Sequence, residues 1–336
     1  MPSGLEATLL LLAVAYIVVL LVWVVFHAAF ERVQAGFFLN SLAHLLFLPA
    51  PAVLILGLVL GQPGLLVAGA APALGFSYFW LLPRFRFRFR RGPDSDGPEL
   101  RVATFNLLWL NNDLDGLAAA IRALDADVIA LQEVTSASVA AIETALDSAY
   151  PHRLLFPRPK AAGMGLISRI PLTASPDTIP DRDWIGDPVI ATLSFAGRDV
   201  SILSCHAARV VAPASARERQ ARALVEYARN LNTPCIVVGD FNSTPFNGAY
   251  RILARGLIDA WHAAGRGLGH TFPGPAWNTA SGDGLPKSLR RIVPRWLIRI
   301  DYIFVSRHWR PICARIGPLD GSSDHRPLVA DLRLQD

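Results

Sequence analysis

The sequence predicts an α/β domain that follows an N-terminal bundle of membrane-spanning helices. Long apolar runs occupy residues 1–83, whereas strand-like and helix-like segments alternate from residue 99 to the end of the chain. The composition agrees, because 52% of the residues are hydrophobic and only 18% are charged, against about 25% charged residues in a typical soluble domain. Part of the chain is therefore expected to lie in lipid.

Three apolar segments are candidate membrane spans. Residues 7–26 carry no charge, and about twenty apolar residues with a rise of ~1.5 Å each cross a bilayer core. Residues 37–60, which Pro49 and Pro51 should kink, form the second span, and residues 65–82 form the third. A signal peptide is the alternative for the first segment, but its apolar run is too long and no Lys or Arg precedes it. We therefore predict a multi-pass cell-membrane protein with the lipid bilayer as its partner.

A strongly basic stretch, RFRFRFRR at residues 84–91, follows the third span. It supplies most of the formal net charge of +5, because residues 92–336 are nearly neutral. In an extended chain its arginines and phenylalanines would face opposite sides, which suits the headgroup region of a bilayer. An edge strand of the following sheet is the alternative. Residues 84–98 are thus predicted to be a basic juxtamembrane stretch and linker.

The distribution of basic residues also predicts an orientation. With three spans, Arg32 and the arginines of residues 84–91 lie on the same side of the membrane as the C-terminal domain, and the other side carries no Lys or Arg. The positive-inside rule then places the domain in the cytoplasm.

Residues 99–336 have the pattern of one mixed α/β domain. Helices are predicted at residues 113–127, 136–149 (with Ser136 as N-cap) and 215–231. Strands are predicted at residues 102–109, 127–134, 163–169, 233–240, 299–305 and 327–334, with a hairpin at residues 191–206.

Side chains suited to metal binding or acid–base chemistry lie near the ends of these strands. Because strand ends meet at one rim of a sheet, we expect them to converge, and carboxylates, amides and imidazoles together suit a hard divalent cation and phosphate chemistry. Each residue alone also fits a structural role, such as a core histidine or an Asx turn. The residues are Asn106, Glu133, His206, Asp240, Asn242, Asp301, Asp324 and His325.

Seven short motifs carry a family resemblance. In chain order they are FNLLW, LQEV, GLISR, SCH, GDFNSTP, RIDYIF and SDHRP. Together they resemble the endonuclease/exonuclease/phosphatase (DNase I-like) superfamily over residues 99–336. The resemblance implies a four-layer α/β sandwich, in which two packed mixed β-sheets are flanked by helices. It also implies metal-dependent hydrolysis of phosphoester bonds, with Mg²⁺ or alternatively Mn²⁺.

The resemblance implies a metal site and a catalytic group. Glu133 would be the principal Mg²⁺ ligand, with Asn106 beside it, and Asp324 would reach the metal directly or through water.

The catalytic group that the resemblance implies comprises five residues. Asp240, helped by Asn242, would orient the attacking water. His325 would contact the scissile phosphate and would itself be oriented by Asp301, whereas His206 would stabilise the phosphate or assist the leaving group.

The substrate class is less sharply predicted. The apolar spans and the similarity to membrane-anchored bacterial members, such as teicoplanin-resistance membrane proteins, favour a phosphorylated lipid or lipid-linked substrate, with no obligate protein partner evident. In that type the catalytic domain faces outward, which conflicts with the charge distribution and leaves the side open. A membrane-tethered DNA or RNA nuclease is the alternative. A nucleic-acid backbone could be bound by the basic and aromatic residues of one segment, Trp277, Arg290, Arg291, Arg295, Trp296 and Arg299.

Overall fold

The structure is a computed structural model that describes residues 4–31, 33–77, 97–278 and 287–335. The RFRFRFRR stretch and most of the predicted linker lie outside the described residues, as does residue 32. The chain divides into two compact units, Met1–Arg90 and Arg91–Asp336.

The N-terminal unit is helical. Two segments in its described part are long and apolar enough to cross a membrane, Gly4–His27 and Ala43–Leu60. The predicted second span, residues 37–60, overlaps the segment Ala43–Leu60, whereas its first residues belong to a separate short helix that ends at Ser41. The helices are α1 (Gly4–Phe30), α2 (Gln34–Ser41), α3 (Pro49–Leu60) and α4 (Pro63–Phe76), with the 3-10 turn at Ala43–Phe47.

Pro49 and Pro51 lie at the start of α3 and do not kink a longer α-helix. Pro49 occupies the first turn of α3, where its missing amide hydrogen costs nothing. The predicted third span corresponds to α4, which has 14 residues and is a shorter apolar helix. Residues 78–82 of that predicted span lie outside the described residues.

Helices α3 and α4 pack closely because glycines lie at their contact. A Cβ atom built on Gly69 would lie 2.3 Å from the backbone nitrogen of Leu54, and one on Gly57 would lie 2.6 Å from that of Leu66. Small residues that let helix backbones approach are typical of helix pairs in membranes.

The C-terminal unit contains two six-stranded mixed sheets. The first has the strand order β11-β12-β1-β2-β4-β3, and the second has the order β5-β6-β7-β8-β10-β9. The strands are β1 (Glu99–Asn106), β2 (Val128–Gln132), β3 (His152–Phe156), β4 (Met164–Ser168), β5 (Leu172–Ala174), β6 (Gly186–Phe195), β7 (Arg198–His206), β8 (Cys235–Asp240), β9 (Ile258–Asp259), β10 (Asp301–Val305), β11 (Trp309–Ile316) and β12 (Leu328–Leu334).

Helices cover the outer faces of both sheets. Apolar side chains of α5 and α6 pack on the first sheet, those of α7 and α8 pack on the second, and a third core fills the space between the sheets. This arrangement confirms the predicted four-layer sandwich. The helices are α5 (Leu114–Ala123), α6 (Ser136–Leu146), α7 (Ala214–Asn230), α8 (Gly248–Gly256), α9 (Ala260–Ala264) and α10 (Lys287–Arg290).

The N-cap of α6 differs from the prediction by one residue. Thr135, not Ser136, caps the helix, because its hydroxyl accepts a hydrogen bond from the amide of Ser138 while the Ser138 hydroxyl caps the Thr135 amide. This reciprocal pair satisfies two free amides at the helix start.

Parallel strand pairs bring the predicted site residues to one rim. Strands β1 and β2 are parallel and pair Asn106 with Gln132, so Glu133 follows directly at the same edge. Strands β7 and β8 are parallel and pair His206 with Asp240. Strand β10 runs antiparallel to β8, so its first residue, Asp301, lies opposite Asp240.

Arg299, which the nuclease hypothesis assigns to substrate binding, is instead a core residue. Its guanidinium is buried and donates to both carboxylate oxygens of Asp259, at 3.1 and 2.8 Å. It also lies 4.4 Å from the ring centroid of Tyr302. Burial alone would raise the pKa of Asp259, but the charge and hydrogen bonds of Arg299 outweigh it and hold that pKa below its usual range.

We expect Arg299→Met and Asp259→Asn each to lower the free energy of unfolding by about 3–5 kcal/mol, because either change leaves one partner buried alone. Since the folded-state pKa of Asp259 is lowered, its contribution is complete above about pH 4 and is lost as the pH falls through that pKa. Thermal unfolding of the full-length protein in detergent measures the loss. Arg219→Gln, which breaks an exposed pair with Asp183, is the control and should cost at most about 1 kcal/mol. Equal losses in all three variants would contradict a structural role for the buried pair.

Candidate active site

The amide of Asn106 connects the acidic residues of the two sheets. Its Nδ2 lies 3.3 Å from Oε1 of Glu133 in the first sheet and 3.2 Å from Oδ2 of Asp240 in the second. Its Oδ1 accepts the backbone amide hydrogen of Leu108 at 3.1 Å, which sets the orientation of the amide. In this arrangement Asn106 presents donors to both carboxylates and positions them.

Glu133 is held at the rim in an unusual backbone conformation. Its φ angle is 61°, in the left-handed region that non-glycine residues rarely adopt. Its Oε2 accepts the backbone amide hydrogen of Trp109 at 2.9 Å. Backbone strain of this kind is found at sites where a side chain must point in a particular direction.

Asp240 is buried at the end of β8 and receives several donors. Nε2 of His206 lies 3.5 Å from its Oδ2, and the backbone amide of Asn242 donates to its Oδ1 at 2.9 Å. The side chain of Asn242 donates instead to the carbonyl of Ala207, at 3.1 Å. Asn242 therefore supports Asp240 through its backbone.

His325 and Asp301 form a carboxylate–imidazole pair. Nδ1 of His325 lies 2.9 Å from Oδ2 of Asp301, and its Nε2 points towards Asp240, 3.8 Å from Oδ2. The ring of Phe272 packs against the imidazole, with centroids 4.9 Å apart. These contacts leave one orientation for the ring and direct Nε2 into the site.

Opposing effects set the protonation of these buried groups. Burial lowers the pKa of His325, but the carboxylate of Asp301 outweighs burial and raises that pKa well above its ordinary value. Burial would raise the pKa of Asp240, yet the hydrogen bond from His206 and the charge of His325 outweigh it and lower that pKa. Burial also raises the pKa of Asp301. The opposite shifts of Asp240 and His325 favour a carboxylate beside an imidazolium at this rim.

The donor set fits a hard divalent cation. Glu133, Asp240 and Asp301 converge at the rim, and the charge of Asp324 is close enough to raise the pKa of His325. Oδ1 of Asp301 is buried and has no hydrogen-bond partner among the described residues. Oxygen ligands of this kind are those that Mg²⁺ and Mn²⁺ prefer.

Two ligand sets can be distinguished. The atoms of Asp240, Asp301 and His325 lie within 4.8 Å of one another and could hold a metal by distance. Nδ1 of His325 is already engaged by Asp301, however, so only its Nε2 could face an ion in this cluster. Glu133 remains the predicted principal ligand, with Asp324 as its predicted partner. Asn106 could join them only if its oxygen faced the ion.

The sequence profile of the Endonuclease/Exonuclease/phosphatase family matches residues 103–325. The chain belongs to the endonuclease/exonuclease/phosphatase family. The match begins in β1 and ends at His325, and it therefore spans every predicted site residue. The family comprises metal-dependent phosphoesterases and nucleases, and the chain is accordingly a metal-dependent hydrolase of phosphoester bonds.

Solved structures of the family share the fold. An endonuclease/exonuclease/phosphatase from Beutenbergia cavernae is 20% identical, with a TM-score of 0.54 over 70% of this chain and 72% of that one. A Bacteroides vulgatus protein of the same description is 21% identical, with a TM-score of 0.53 over 71% and 100%. D. rerio TDP2, complexed with single-strand DNA product, is 17% identical, with a TM-score of 0.56 over 70% and 99%. No curated protein sequence matches this family member.

Two supporting residues of this family member escaped sequence reasoning. Ser323 donates its hydroxyl to the carbonyl of Asn106 at 2.7 Å and accepts the amide of His325 at 3.1 Å, which ties the loop before β12 to β1. Phe272 packs on His325 from a loop more than 50 residues earlier. Ser323 is the serine of the SDHRP motif, so the sequence offered it as a site residue. Phe272 is an apolar loop residue, and no local sequence pattern indicates its contact with His325.

The remaining aromatic and basic candidates divide into packed residues and exposed ones. Arg290 is buried, donates to the carbonyl of Trp277 at 3.2 Å and lies 5.4 Å from its ring centroid. Trp296 lies beneath Arg326, whose guanidinium is 4.3 Å from the centroid. Arg290, like Arg299, is therefore buried and not placed to contact a nucleic-acid backbone, whereas Arg291 and Arg295 are exposed.

We expect Asp240→Asn to lower kcat by about 10²–10⁴-fold, because it keeps the shape of the side chain and removes the charge that orients a nucleophile. Glu133→Gln should raise the Mg²⁺ concentration needed for half-maximal activity. Hydrolysis of bis-p-nitrophenyl phosphate across a Mg²⁺ titration measures both effects. Asp199→Asn, at the exposed opposite end of β7, is the control and should behave as wild type. Near-normal turnover by Asp240→Asn would exclude the assigned role.

Proposed function

We propose that the chain is a membrane-anchored, Mg²⁺-dependent phosphoesterase that hydrolyses a phosphate ester or diphosphate on a lipid or lipid-linked substrate. The observation that carries the proposal is the combination, in one chain, of the family's rim site with long apolar helices. An 18-residue stretch of the segment Gly4–His27 has a mean hydropathy of 3.2, and only 17% of that stretch is buried.

The exposed surface of these helices supports membrane anchoring. Leu11, Val25 and Val59 are 71%, 67% and 75% exposed. Helix α1 is apolar on all sides and has no polar face to present to water. Exposed apolar surface of this extent suits lipid. Several passes through a cell membrane, in the manner of the teicoplanin-resistance type, are part of the proposal.

The site residues have complementary parts in the proposed hydrolysis. The ionised carboxylate of Asp240 accepts a hydrogen bond from the attacking water and orients it, while His206 beside it stabilises the phosphate or the leaving group. Protonated His325, fixed by Asp301, donates from Nε2 to a phosphate oxygen. Bound Mg²⁺, held by Glu133, would polarise the phosphoryl group.

A nuclease is the second candidate. D. rerio TDP2 has the same fold and was crystallised with single-strand DNA product. Two features weigh against the nuclease here: residues 92–336 are nearly neutral, and Arg290 and Arg299 are buried. Nonspecific nucleic-acid binding depends on phosphate neutralisation by exposed cations. A phosphorylated lipid is therefore the preferred substrate.

A substrate panel should separate the two candidates. With Mg²⁺, the purified full-length protein in detergent should release phosphate or headgroup from phospholipids or polyprenyl diphosphates, and Asp240→Asn should not. Plasmid nicking and RNA degradation, measured beside it, should be negligible. Rapid nicking that depends on Asp240, without lipid turnover, would replace the proposal with the nuclease.

The side of the membrane can be tested separately. The excess of Arg next to the predicted spans predicts a cytoplasmic catalytic domain. A reporter fused after Asp336 should be active only when it is of the kind that works in the cytoplasm. Activity only of an exterior-active reporter would favour the outward placement implied by the resemblance to teicoplanin-resistance proteins.

A further inference from the structure

A groove of about 410 Å³ lies beside the candidate active site. Three segments line it: residues 159–162, residues 183–185 and residues 209–212. No site residue assigned above lines this groove. We call it the lateral groove.

Hydrogen bonds connect the walls of the lateral groove to the site. The amide of Val134, next to Glu133, donates to the carbonyl of Gly163 at 3.0 Å, which places residues 159–162 beside the predicted metal ligand. The amide of Ile185 donates to the carbonyl of His206 at 3.2 Å. Residues 209–212 follow His206 after two residues. The lateral groove therefore lies next to the rim, at the segments that precede β4 and β6 and follow β7.

The lateral groove offers two cations. Lys160 and Arg209 line it and are exposed, and in the described part of the chain neither side chain makes a hydrogen bond or an ion pair. The acid in the lining, Asp183, is already paired with Arg219 at 2.6 Å. The groove is thus positively charged, although the domain as a whole is nearly neutral.

Apolar surface lies beside these cations. Trp184 is half-buried, and its indole nitrogen donates to the carbonyl of Ile179 at 2.8 Å, which fixes the ring. Val211, in the third lining segment, is 63% exposed. An anionic group attached to an apolar one would satisfy both surfaces.

Backbone conformation and hydrogen bonds fix the segments that line the lateral groove. Lys160 has a φ angle of 58°, a conformation that a lysine adopts only at an energetic cost. The buried guanidinium of Arg217 donates to the carbonyls of Ala208, Arg209 and Ala212. A groove that is ordered without ligand is preorganised for binding.

We propose that the lateral groove binds a second, non-scissile phosphate of the substrate through Lys160 and Arg209, with the adjoining apolar group against Trp184 and Val211. The inference rests on the proposed function and narrows it: the preferred substrate is a diphosphate of an apolar alcohol rather than its monophosphate.

Kinetics of groove variants test the proposal. Lys160→Asn and Arg209→Gln should each raise KM for a short prenyl diphosphate by about tenfold, since each removes a charge-assisted hydrogen bond. KM for the matching prenyl monophosphate and kcat for both substrates should change little. Lys160→Asn should not lower Tm, because Asn tolerates the left-handed conformation. Arg182→Gln removes a neighbouring charge that is 90% exposed, and it is the control.

A binding measurement separates this inference from the proposed function. Calorimetric titration of the full-length Asp240→Asn protein with the same prenyl diphosphate should show binding that either groove substitution weakens by about tenfold. This result would hold even if wild-type protein hydrolysed neither lipid, which would defeat the proposed function alone. Unchanged binding, no binding, an equal KM rise for both substrates, or the same effect from Arg182→Gln would overturn the groove assignment.

Discussion

The amide of Asn106 is the contact on which the active site depends. From the end of β1 it donates to Glu133 in its own sheet and to Asp240 in the opposite sheet. Carboxylates brought this close repel each other, and a hydrogen-bond donor between them offsets part of that repulsion. A neutral donor between the two sheets allows the sandwich to keep acids from both sheets at one rim, and the Leu108 amide fixes which way that donor points.

The catalytic unit uses its charged residues in three ways. The Arg299–Asp259 pair is buried and bidentate and stabilises the second sheet where β9 meets β10. The His325–Asp301 pair is equally buried, but Nε2 of His325 points towards Asp240 at the rim, where a ligand could meet it. Lys160 and Arg209 are exposed and without side-chain partners in the described residues, which suits them to a ligand rather than to the fold. The surroundings of each group, not its residue type, decide its role.

Sequence patterns predicted the helices and strands with clear apolar periodicity and missed those without it. The hairpin at residues 191–206, helix α7 and the strands that end at His206 and Asp240 were all predicted, because apolar periodicity marks them. Strand β11 was not predicted: its residues WRPICARI include a proline and a register shift between Pro311 and Cys313 that interrupts the alternation. The second apolar run was predicted to begin at residue 37, yet residues 37–41 belong to α2 and the long apolar segment begins at Ala43, since hydropathy measures composition and not helix continuity.

The sequence by itself determined the family, the four-layer fold and the identity of the residues at the rim, because motif order and strand ends are local properties. Only the tertiary structure decided what each side chain contacts. Asn106 contacts Asp240, which is 134 residues away in the chain. Arg299 is buried in the core, where it pairs with Asp259, 40 residues away. The lateral groove joins three segments that are far apart in sequence. Such contacts arise from the packing of one sheet on the other, and no window of sequence contains both partners.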